Sequence, residues 1–150
     1  MRKTTLALTL VVALILESRV RVSGIGPNLT VLFVIYAGLR GGPLRGLTAG
    51  AGLGFLTDVL SAGMLGPDIL AKGTVGYLSA FLGRGVFTWT PLLGLVGFFV
   101  LTFLDGTLSY GLTAAFERAA LGATHAAVIS FWQALLVAPA GLFMRPRDEN

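Results

Sequence analysis

Two stretches of this sequence, 85–104 and 119–144, each run through the thickness of a lipid bilayer without one charged residue. A helix needs about 20 predominantly apolar residues to cross the hydrocarbon core. In that solvent every backbone N–H and C=O must be bonded within the segment itself, which a helix achieves. The rest of the chain agrees. Charged residues make up 12% of it, about half the share in a soluble domain, too few to cover a water-facing surface. Hydrophobic residues are 55% and the mean hydropathy is +0.84. The reading is an all-α integral membrane protein: a single transmembrane domain over 1–150, a bundle of about six helices with short loops.

The expected helices run roughly over 4–20, 27–39, 43–60, 67–83, 91–114 and 122–144. Four of them open at or near a proline, namely Pro27, Pro43, Pro67 and Pro91. Proline suits a first helical position because the N–H it lacks would be unpaired there anyway. The second segment is short for a span, so a count of five stays open. The first segment has the outline of a signal peptide, with Arg2 and Lys3 ahead of an uncharged run from Thr4 to Leu16. The next residues, Glu17-Ser18-Arg19, lack the small-x-small pattern that cleavage needs, and a retained helix is expected.

Orientation is set by Lys and Arg placement. With six spans and an inside N-terminus, Arg2, Lys3, Arg40, Arg45, Arg84, Arg145 and Arg147 lie inside, against Arg19, Arg21 and Arg118 outside. Both termini are therefore expected in the cytoplasm. The basic residues sit at segment ends and form no run of five, which argues against a nucleic-acid surface and for anchoring at anionic lipid headgroups.

Few residues carry chemistry. With no cysteine there is neither disulfide nor thiolate, and His125 is the one histidine. Ser109 with His125 suggests a serine nucleophile, but Leu-Ser-Tyr-Gly around Ser109 offers no evident oxyanion donor. Asp105-Gly106 suggests phospholipid transfer, but that chemistry needs further carboxylates for metal, and the next acid, Glu117, stands alone. Trp89 and Trp132 fit interfacial or packing positions. No cofactor or metal is expected.

The clearest pattern is a glycine ladder. Gly38, Gly42, Gly46, Gly50 and Gly54 are spaced four apart, and Asp58 takes the next step. From Pro43 onward these positions share one slanted helix face, and small residues at that spacing let another backbone approach closely in lipid. The face over Gly42, Gly46, Gly50 and Gly54 either packs within the bundle or receives a partner's helix. Asp68 comes directly after Pro67 in a first turn, where the helix dipole favours a carboxylate, and Lys72 lies four residues on, in the favourable acid-first order. Asp58 sits near the C-terminal end of its own helix, where the dipole disfavours it. It needs water, a cluster of backbone N–H groups or a cation. Lys72 is the nearest cation, which gives an expected intramembrane cluster of Asp58, Asp68 and Lys72.

The stretch from Gly50 to Leu78 carries a resemblance. Glycines lead into Gly54-Phe55, then Asp58, a Ser-Ala-Gly turn, Leu65-Gly66, Leu70-Ala71-Lys72 and Gly76-Tyr77-Leu78. Together with Pro27-Asn28 ahead of an apolar helix, this resembles the rod shape-determining protein MreD of bacteria. The resemblance implies a non-catalytic membrane scaffold in the machinery that elongates the cell wall, located in the bacterial cytoplasmic (inner) membrane. It implies MreC as direct partner and, through it, RodA, a class B penicillin-binding protein and indirectly MreB. It also implies a fold like the substrate-binding subunits of energy-coupling-factor transporters. The alternative function is therefore a small-solute-binding subunit of such a transporter, which requires several inward polar groups at one depth.

Overall fold

The computed structural model describes residues 28–61, 65–83, 90–117 and 122–144. The helix expected over 4–20 lies outside the described residues, as do Trp89 and most of the basic residues used for orientation. Among the described residues there are five α-helices and no strand: α1 Leu29–Gly41, α2 Pro43–Leu60, α3 Pro67–Gly83, α4 Pro91–Glu117 and α5 Ala123–Val137, the last continued by a 3-10 turn, Ala138–Leu142. The six-helix expectation thus meets five described helices. The segment expected over 122–144 tightens at Ala138, ahead of Pro139, a residue that cannot donate to an α-helical ladder.

Local chemistry sets the breaks. Gly42 adopts φ 84° between α1 and α2, a left-handed conformation that glycine enters without steric cost, and Pro43 restarts the helix at once. Gly42 is therefore the hinge of the α1–α2 hairpin. Gly66, at φ 134°, makes the corresponding turn into α3.

Two helices are long and apolar enough to cross a membrane, over Pro91–Phe116 and Thr124–Leu142, and α1 is a shorter apolar helix. Beside an apolar core, large apolar side chains also lie outside and several charged ones inside. Leu60, Leu92, Val100, Phe116 and Leu136 are exposed, while Thr30, Asp58, Asp68, Lys72 and Asp105 are buried. Leaving large apolar side chains outside is favourable when the solvent is hydrocarbon, and charges then have to be turned inward and satisfied there.

Helix α3 is central and packs against α1, α2 and α4, while α5 and the 3-10 turn pack on α4. The apolar core joins Val31, Ile35 and Leu39 of α1, Val75 of α3, Phe98 and Leu101 of α4, and Val137 of α5.

Candidate functional site

The glycine ladder meets a helix of its own chain. A methyl group on Gly46, Gly50 or Gly54 would run into the backbone carbonyl of Gly76, Lys72 or Asp68 respectively, and one on Gly38 into Ser79 and the Gly76 carbonyl. The contacts on α3 are themselves spaced four apart, so α2 and α3 touch backbone to backbone along the whole seam. Gly76 is the point where α1, α2 and α3 meet. While α3 occupies this face at Gly46, Gly50 and Gly54, a partner's helix has no access to it there, and Gly42 is the hinge at its start. Of the two readings left open for the ladder, the geometry is that of packing within the chain.

The close approach places the end of α2 beside the start of α3, which determines where Asp58 goes. Its carboxylate accepts the backbone N–H of Gly66 at 2.8 Å, of Asp68 at 3.2 Å and of Ile69 at 3.4 Å. These are the orphan donors that open a helix. A carboxylate disfavoured by the dipole of its own helix is thus stabilised by the positive end of the next one. Of the three kinds of partner open to Asp58, these contacts are the cluster of backbone N–H groups.

Lys72, only 1% exposed, forms ion pairs with Asp68 at 3.2 Å and with Asp105 at 3.7 Å. Asp68 also accepts the hydroxyl hydrogen of Ser109, and Asn28 donates its side-chain N–H to Asp105 at 2.8 Å. Asp105 is fully buried near the middle of α4, where an isolated charge would cost about 2.5–3.5 kcal/mol or more. The ammonium of Lys72 lies between its two carboxylates and ties α3 to α4, while Asn28 adds the start of α1.

Asn28 and Asp105 are the members that the sequence reading did not place in the cluster. A signal for Asp105 was present: a carboxylate in the middle of an apolar helix has to find a partner, and Lys72 is buried in the same way. The remaining candidates lie apart from one another. Ser109 is engaged by Asp68, and His125 is exposed on the first turn of α5, so nothing in the geometry assembles a nucleophile with its base. Trp132 is half exposed, in edge contact with Phe131. Arg40 and Arg45 are exposed at the apex of the α1–α2 hairpin. No group of three acidic, histidine or cysteine side chains suited to a metal occurs among the described residues.

The family model of the rod shape-determining protein MreD matches residues 3–146, nearly the whole chain. The chain belongs to the MreD family. No curated protein and no solved structure matches it. Membership makes it a membrane protein with a role in rod shape determination. For an MreD protein the network has a plain chemical meaning. Its groups form ion pairs and hydrogen bonds with one another, and they connect α1, α2, α3 and α4. The arrangement is suited to holding helices in a fixed relation inside a bilayer.

Proposed function

We propose that this MreD protein is a non-catalytic, multi-pass scaffold of the bacterial cell-wall elongation machinery, with both termini in the cytoplasm. It binds MreC directly and, through MreC, supports RodA, a class B penicillin-binding protein and, indirectly, MreB. The described helices then belong to a six-helix bundle of the kind found in the substrate-binding subunits of energy-coupling-factor transporters. The observation that supports the reading is that Asp68, Lys72, Asp105, Asn28 and Ser109 make ion pairs and hydrogen bonds with one another inside the bundle. A solute-binding subunit would turn such groups toward a cavity, whereas here they face one another. A scaffold needs a rigid interior and an apolar exterior, and the exposed Leu, Phe and Val side chains supply the latter.

The test is a pull-down of the tagged chain from native membranes, in wild-type cells and in cells lacking MreC. Copurification of MreC, with RodA and the penicillin-binding protein lost when MreC is absent, is the expected result. Recovery of RodA without MreC, or of no elongation protein at all, contradicts the reading. A periplasmic phosphatase fused after Asn150 should be inactive; activity there would overturn the orientation.

A further inference from the structure

Helix α2 has a second face with a different composition. Between α1 and α2, away from α3, lies an open groove of about 490 Å³ lined by Phe33, Tyr36, Ala37, Thr48, Ala49, Gly52, Leu53 and Leu56. That volume falls within the range of about 300–1,000 Å³ typical of ligand clefts. Its floor is made of small residues, and the space over Gly52 is empty: a methyl group there would meet nothing within 4 Å.

Each wall of the groove ends in an arginine. On α1 the lining residues 33, 36 and 37 continue at helical spacing to Arg40. On α2 the lining residues 48, 49, 52 and 56 are preceded at the same spacing by Arg45. Both arginines are exposed. The guanidinium of Arg40 stands 5.1 Å over the ring of Tyr36. The stem of Arg45 leans back over Gly41, whose added methyl would lie 2.8 Å from the Arg45 Cβ. The two cations therefore share the apex of the hairpin, at one end of an apolar trough.

We propose that this groove is a binding site for an anionic membrane phospholipid. One acyl chain lies over Gly52 between the two helices, and the phosphate sits between Arg40 and Arg45. Charge complementarity selects this occupant: an apolar channel with cations at one end matches a hydrocarbon tail joined to an anionic headgroup, and basic pockets between membrane helices recognise such headgroups. The site rests on the membrane placement of the α1–α2 hairpin in the proposed scaffold, but not on MreC.

The full chain, purified in mild detergent, would be exchanged into nanodiscs of phosphatidylethanolamine with phosphatidylglycerol, or of phosphatidylethanolamine alone. Lipid retained on release would be counted by native mass spectrometry. Wild-type protein should retain phosphatidylglycerol selectively. Gly52→Leu, whose Cβ would meet nothing within 4 Å and whose side chain would enter the groove, should abolish that retention, and Gly111→Leu, at another glycine with open space, should leave it intact. R40Q/R45Q should weaken retention roughly thirtyfold, about fivefold per arginine. Equal retention of the two lipids by wild type, or undiminished phosphatidylglycerol on Gly52→Leu, overturns the proposal. So does loss of MreC copurification on Gly52→Leu with lipid retention unchanged, which would assign the groove to a partner's helix. Loss of retention with MreC copurification unchanged supports the lipid site and leaves the scaffold reading standing.

Discussion

The seam between α2 and α3 and the seam between α4 and α5 address the same problem in opposite ways. The first is made of backbone: Gly46, Gly50 and Gly54 lie against the carbonyls of Gly76, Lys72 and Asp68. The second mixes close contact with large side chains. Gly106 meets Ser130, and Gly141 of the 3-10 turn meets the backbone of Gly94, but Phe99 of α4 also meets Phe131 of α5 edge-on at 5.6 Å. The charges gather around the first seam. Helices drawn together without side chains between them bring the end of α2 within hydrogen-bond reach of the start of α3, and Asp58 uses that proximity. The second seam relies on van der Waals contact, which is the main attraction available between helices in lipid. The first should therefore fail abruptly when altered and the second gradually.

The largest effect should come from Gly50→Leu. A side chain there meets the Lys72 carbonyl, which cannot yield, so the cost should exceed both the usual overpacking range of about 1–3 kcal/mol and the cost of about 3–5 kcal/mol for losing one partner of a buried ion pair. Folded protein in membranes should fall below detection, and normal abundance would show that the seam opens more easily than its geometry implies.

Lys72→Met comes next. Removing one partner of a buried ion pair costs about 3–5 kcal/mol, because the remaining charge is left uncompensated. Asp105→Asn should recover part of that loss. In a double-mutant cycle read by membrane abundance or thermal unfolding, the Lys72/Asp105 coupling should exceed the Lys72/Asp58 coupling. The reverse order would restore Asp58 as the partner of Lys72. Asp58→Asn alone should cost about 1–3 kcal/mol through unmade bonds to backbone donors.

The smallest effect belongs to the second seam. Phe131→Leu removes an edge contact but keeps an apolar side chain, and should cost less than about 1.5 kcal/mol. A loss as large as that of Lys72→Met would erase the contrast between the two seams.

Much of this organisation could be read in the residues themselves. Pro43, Pro67 and Pro91 stand where α2, α3 and α4 begin, because a proline is free of cost at a first helical position. The ladder spacing announced a close approach. What spacing cannot carry is the identity of the neighbour, since any backbone fits a glycine face, whether of this chain or another. The partners of Asp58 were hidden for a related reason. Backbone N–H groups are present at almost every residue, so no letter in the sequence distinguishes Gly66, Asp68 and Ile69 as donors. Asp105 and Asn28 reach the cluster only through tertiary packing that joins residues 28, 72 and 105, a relation without local periodicity.

The central claim is that the glycine face of α2 is closed by α3 of the same chain, and the absence of cysteine from the sequence makes it directly testable. A methyl group on Gly73 would lie 3.9 Å from the Ala51 Cβ, within the span of about 3.5–4.5 Å that a disulfide bridges. Ala51→Cys with Gly73→Cys should form an intramolecular disulfide in native membranes on mild oxidation, while cells carrying the cross-linked protein remain rod-shaped and MreC still copurifies. Failure to cross-link in folded protein, or cross-linking that expels MreC and rounds the cells, would contradict the account and return the ladder to the partner.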